Sequence, residues 1–93
     1  MEWDKLPLTV LKFGGSSVAD SARMRHVAQI VKKTREEGYR VAVVVSAMGN
    51  TTDDLLALAS DVASEADGRE MDQLLATGEQ QSVALLALAL GVV

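Results

Sequence analysis

The sequence predicts an α/β protein with a parallel sheet at its core. Two apolar runs, Leu8 to Phe13 and Tyr39 to Val45, read as strands. An amphipathic segment of helical period lies between them, and a strand–helix–strand succession over this distance is a βαβ unit with parallel pairing. A third observation fixes where the chemistry belongs. Two glycines and two serines stand between the first strand and its helix, in Lys12-Phe13-Gly14-Gly15-Ser16-Ser17-Val18.

Composition narrows the classes. Ninety-three residues, 48% of them hydrophobic, make one domain at most, with a core of aliphatic residues because only 3% are aromatic. A net charge of −4 argues against nucleic acid or an anionic membrane as the main partner. With no cysteine and one histidine, neither disulfides nor a zinc or iron site is expected. Met1 to Asp4 carries mixed charge without a leader-like apolar run, and Val83 to Leu90 is too short a run to span a bilayer. The expectation is a soluble cytoplasmic protein.

Met1 to Lys5 is polar, with Trp3 free to pack on a neighbour, and Pro7 marks the entry to the first strand. Apolar residues around Val10, and again from Val41 to Val45, predict strands covered on both faces. Asp20 or Ser21 caps the first helix, which turns Met24, Val27, Ile30, Val31 and Thr34 inward. Arg23, Arg25, Lys32, Lys33 and Arg35 read as a solvated surface and His26 as an ordinary surface histidine; Gly38 ends the helix.

After the second strand, Ser46-Ala47-Met48-Gly49-Asn50 forms a second loop at the carboxyl edge of the sheet, where ligands bind in open α/β folds. Thr51 to Asp54 fits a capping box, with Asp53 and Asp54 complementing the helix dipole rather than forming a catalytic pair. Leu55, Leu56, Ala59, Val62 and Ala63 would be the buried face of that helix. Ser64 to Arg69 reads as a break, and Glu70 to Ala76 as a short helix using Met71, Leu74 and Leu75. Thr77 with Gln80 fits a second capping box that restarts the chain. Val83, Leu86, Ala87 and Leu90, broadened by Leu85 and Leu88, would pack inward until Gly91, and Val92 with Val93 would begin a third strand.

The glycine–serine stretch suits an anion. Glycine lets backbone N–H groups approach a ligand closely, the start of a helix favours negative charge, and Lys12 adds a full positive charge. The lysine precedes the glycines, so this is not a P-loop, and the spacing is not that of a dinucleotide fingerprint. Taken locally, a tight strand-to-helix turn with a solvated lysine accounts for it equally well.

Three stretches in order carry a family resemblance. Lys12 to Val18 resembles the opening motif of aspartokinases, members of the amino acid kinase family. Ser46-Ala47-Met48-Gly49-Asn50-Thr51-Thr52-Asp53-Asp54-Leu55-Leu56 resembles their second motif, and Leu75-Ala76-Thr77-Gly78-Glu79-Gln80 their third. Acetylglutamate, carbamate and uridylate kinases share the lysine–glycine start, whereas the second and third motifs resemble the aspartate branch. Ser16 stands where the family more often has threonine, which preserves the hydroxyl. The resemblance implies that residues 1–93 are the N-terminal part of a three-layer α/β amino acid kinase domain, ending after the helix that follows the Thr-Gly-Glu motif. The adenine-binding part, later catalytic residues and regulatory domains of the family lie beyond it. A parent fused to homoserine dehydrogenase would begin in the same way.

The activity implied is ATP-dependent phosphorylation of the side-chain carboxylate of L-aspartate to 4-phospho-L-aspartate, the first step of lysine, threonine and methionine biosynthesis. A free carboxylate with pKa about 3.9 is already ionised at neutral pH, so no general base is needed and electrostatics carry the catalysis. The resemblance makes Lys12 the catalytic charge, with Lys12, Phe13, Gly14, Gly15 and Ser16 at the ATP phosphates. It places Ser46, Thr52 and Glu79 at aspartate, with Glu79 accepting from the α-amino group. Glu79 can equally serve the dipole of a helix's first turn. Mg2+ is expected on the nucleotide phosphates, held mostly through water and substrate oxygens, with no protein ligand named in this stretch, and the complete enzyme is expected to be a homo-oligomer. The alternative is a non-catalytic anion-binding or interaction module derived from an aspartokinase.

Overall fold

In a computed structural model, which describes residues 2–65 and 67–93, the chain forms strand β1 (Leu8–Phe13), helix α1 (Ser21–Glu36), strand β2 (Arg40–Val45), helix α2 (Thr51–Val62) and helix α3 (Gly68–Val92). The strands pair in parallel, from Leu8 opposite Arg40 to Phe13 opposite Val45, which is the sheet the apolar runs predict. Short 3-10 turns precede β1 and follow it, the second covering Gly15–Val18.

Helix α1 begins where expected. The Asp20 carboxylate accepts from the Arg23 N–H at 2.8 Å and caps the first turn. At its far end Gly38 takes φ +101°, a left-handed conformation that closes a helix without the strain a side chain would bring. Met24, Val27 and Val31 are buried as predicted, and so is Ala28. Arg35 donates to the Tyr39 carbonyl at 2.7 Å and stacks 4.5 Å from the Trp3 ring centre; Arg40 donates to Leu6 O at 2.9 Å. These contacts tie the N-terminal turn to the start of β2.

The core lies on one face of the sheet. Leu11 and Phe13 from β1, with Val41, Val43 and Val45 from β2, pack against buried Val18, Met24, Val27, Val31 and Leu86. The other face is open. Leu8, Val10 and Val44 are 59%, 60% and 50% exposed, so the expectation of two covered faces is met on one side only among the described residues. The alternation is the period-2 signature of a strand, with every second residue turned outward.

The helical half differs most from the sequence reading. Glu70 to Ala76 and Thr77 onward are not two helices but one, which runs 25 residues from Gly68 to Val92. Thr77 does not cap a new helix. Its hydroxyl donates to Leu74 O at 2.6 Å within the helix, a bond that satisfies the group in mid-helix. The helix passes through Gly91 and takes in Val92, so no third strand begins there. The true cap is Asp67, whose carboxylate accepts from the Arg69 N–H at 2.9 Å. Only part of the predicted break at Ser64 to Arg69 is loop, and Ala66 within it lies outside the described residues, as does Met1.

The capping box at Thr51 to Asp54 is not formed either. Asn50 occupies the N-cap without a side-chain cap bond, and the Thr51 N–H donates to Met48 O at 2.8 Å. Helix α2 buries no residue fully. Leu55 and Ala59 are half-buried on α3, whereas Leu56, Val62 and Ala63 are exposed, Val62 by 82%, because α2 packs chiefly on α3. On α3 itself Val83, Leu85, Ala87 and Leu88 face outward, and the buried stripe is Gly78, Ser82 and Leu86 with Ala89 and Leu90 half-buried. By length and composition α3 could cross a membrane; here it packs on both α1 and α2.

Candidate functional site

The two loops that leave the carboxyl ends of β1 and β2 are joined. The Ser46 N–H donates to Phe13 O at 3.2 Å, continuing the sheet by one bond, and the Gly49 N–H donates to Gly15 O at 3.0 Å. Gly49 itself has φ +47°, which turns the second loop back toward the first. Phe13, Gly14, Gly15, Ser16 and Ser46 are therefore brought to one end of the sheet, as the βαβ reading requires.

The two glycines of the first loop differ in what surrounds them. A Cβ at Gly15 would stand 2.8 Å from Ala47 O, so only a bare backbone can pass beneath the second loop. A Cβ at Gly14 would meet nothing within 4 Å, so packing does not require glycine there. Gly14 has extended backbone (φ −74°, ψ 174°), and the Ser17 N–H donates back to Gly14 O at 3.1 Å, so the following residues form a tight turn. Ser16 is exposed, and its carbonyl receives a long 3.5 Å bond from Arg23 Nη1. Lys12 is exposed on the uncovered face of the sheet beside Val10, opposite Val44 in register.

Helix α3 brings the third stretch to the same place through contact of its backbone. Gly78 is buried, and a Cβ there would stand 3.1 Å from Ala47 Cβ and 3.1 Å from Thr51 Cγ2. Ala47, 6% exposed, thus sits between the first loop and α3. Thr52 and Glu79, the neighbours of these contacting residues, are both exposed. Glu79 lies in mid-helix, eleven residues past the first residue of α3, so it does not compensate the dipole of a first turn. Its side chain lines a groove along α3 with Ala76, Gln80 and Val83, and none of the loop residues lines that groove.

A second concavity, of about 460 Å³, lies on the other side of the first loop, lined by Phe13, Ser16, Ser17, Arg23, His26 and Ile30. Arg23, which reads in sequence as solvated surface, reaches back from α1 to Ser16 O with its guanidinium. Ala47 and Gly78 were legible as motif residues but not as a contact. The signal was their size, since small residues recur where backbones approach closely.

Comparison with known proteins bears on the family and the fold. The amino acid kinase family profile matches residues 7–93. An aspartokinase of Thermus thermophilus is 54% identical over 85 residues, covering 91% of this chain and 21% of that protein. An aspartokinase of Mycolicibacterium smegmatis is also 54% identical over 85 residues, which are 20% of its length. The chain thus spans about a fifth of the length of these relatives. The crystal structure of aspartate kinase from Synechocystis superposes with a TM-score of 0.88 at 52% identity, over 90% of this chain and 14% of that one. The α/β fold with its parallel strand pair is shared with that structure, and the chain belongs to the amino acid kinase family.

Proposed function

We propose that this segment supplies the phosphate loop and part of the aspartate pocket of an aspartate kinase. The observation that carries the reading is the closure of three separated stretches on one another at the sheet's carboxyl end, through Gly49 to Gly15 and Gly78 to Ala47. In the reaction, a side-chain carboxylate oxygen of L-aspartate forms a bond to the γ-phosphorus of ATP as the bond to the departing ADP oxygen breaks, giving 4-phospho-L-aspartate. Nucleophile and triphosphate are both anionic, so the task of the protein is positioning and cancellation of repulsion. Lys12 provides the charge; Gly14 and Gly15 offer backbone N–H groups and Ser16 a hydroxyl to phosphate oxygens. Ser46, Thr52 and Glu79 hold aspartate, with the Glu79 carboxylate accepting from its ammonium. Mg2+ would be carried mainly by the nucleotide phosphates, as hard cations prefer phosphate and water oxygens. The protein is inferred to act in the cytoplasm, in the common pathway to lysine, threonine and methionine, and as part of a homo-oligomer.

The test is a chimera in which this segment replaces the matching fifth of the Thermus thermophilus aspartokinase. Hydroxylamine trapping should detect acyl phosphate that depends on both ATP and aspartate. A folded chimera that makes none would defeat the reading.

A further inference from the structure

We propose that Gly78 is a positioning residue, and that Ala47 is the spacer through which it sets the place of Glu79 relative to the glycine loop. The inference rests on the proposed role of Glu79 at the aspartate ammonium and assigns the determinant of its position.

Ala47 is held from two sides. Its carbonyl oxygen lies against Gly15, where an added Cβ would stand 2.8 Å away, and its methyl group lies against Gly78, where an added Cβ would stand 3.1 Å away. The Gly49 N–H to Gly15 O bond at 3.0 Å locks the first side, so the second loop cannot retreat from α3 without pulling on the phosphate loop. Thr51 Cγ2, also 3.1 Å from the position of such a Cβ, closes the remaining direction, and Leu55 Cδ1 follows at 3.6 Å. Ordinary contact between carbon atoms begins near 3.5 Å. A methyl group at position 78 must therefore displace α3 from the loop by a few tenths of an ångström, because the Ala47 methyl has no rotamer to yield.

Glu79 is the next residue on the same rigid helix and moves with it. Lys12 to Ser16 belong to the other side of the spacer and do not. The absent side chain at 78 thus determines the separation between the carboxylate and the phosphate loop. A stability role alone predicts something different. In a helix interior alanine is favoured over glycine, so Gly78→Ala gains helix propensity while it loses fit, and the two oppose each other in stability but not in position.

The experiment uses the chimera described above. Gly78→Ala should raise the KM for aspartate about tenfold, with the KM for ATP unchanged within twofold, since small misplacements of positioning groups act steeply. Ala47→Gly combined with Thr51→Ser removes both methyl groups that the new Cβ meets, and should restore the aspartate KM of Gly78→Ala toward the parent value. Thermal unfolding of each variant separates position from stability. A change in both KM values, a change in neither, or failure of the compensating pair to restore aspartate binding in a variant that remains folded would each overturn the proposal. An unsubstituted chimera that folds yet makes no acyl phosphate would instead remove the reading of Glu79 on which the proposal depends, and that outcome is distinct from the others.

Discussion

The backbone N–H of Gly49 donates to the carbonyl oxygen of Gly15 at 3.0 Å, joining two loops that are 34 positions apart in the chain. Both loops leave the same end of a parallel strand pair, and this bond adds to the Ser46 N–H to Phe13 O bond at 3.2 Å. Gly15→Ala should break this arrangement, since its Cβ would stand 2.8 Å from Ala47 O and no side chain can rotate away. Overpacking of this kind costs about 1–3 kcal/mol. Thermal denaturation of the chimera should show the loss, together with a raised KM for ATP.

Lys12→Ala in the chimera should lower turnover about 10²–10³-fold, the effect typical of removing one preorganised group from a charged transition state. Its exposure on the open sheet face means that stability should change little. Loss of stability with near-normal specific activity would refute the assigned role.

Glu79→Gln should raise the KM for aspartate and leave that for ATP nearly unchanged. The residue is exposed in mid-helix, so loss of its charge removes no cap and no dipole term. Steady-state kinetics against each substrate decides it; equal effects on both would argue against an ammonium partner.

Ser82→Ala should stabilise the protein or leave it unchanged. The hydroxyl is fully buried, with no hydrogen-bond partner among the described residues. Removing an unpaired buried polar group recovers about 1–3 kcal/mol of desolvation, and alanine is the better helix former. A melt showing clear destabilisation would mean that the hydroxyl has a partner.

The 93-residue chain alone should show no aspartate-dependent ATP turnover and should self-associate. Leu8, Val10 and Val44 leave one sheet face apolar and open, and both edges of a two-stranded sheet are unpaired. Hydroxylamine trapping beside size-exclusion chromatography reads both properties. A compact monomer that makes acyl phosphate would contradict them.

The βαβ half was legible because its signals are local. Strand alternation, the Asp20 cap and Gly38 each act within a few residues, and the structure reproduces all three. The capping boxes were misleading because Thr51 and Thr77 have the right spacing but other partners: Thr51 packs at Gly78, and Thr77 bonds to Leu74 O. Hydrophobicity likewise overstated burial at Val62 and Leu88, which face outward because no further described layer reaches them. The Ala47–Gly78 contact depends on tertiary approach, which no periodicity reports.

The unbroken course of α3 fixes a rotational phase. Met71, Leu74 and Gly78 face α2 on the helix's first half, while Ser82 and Leu86 are buried on the second. Each residue advances an α-helix by about 100°. One residue inserted between Leu74 and Ser82 would therefore turn one of these faces away from its neighbour. Had the chain restarted at Thr77, a flexible joint would have absorbed such a change. Along this rod, the number of residues between the two faces is as constrained as their identity.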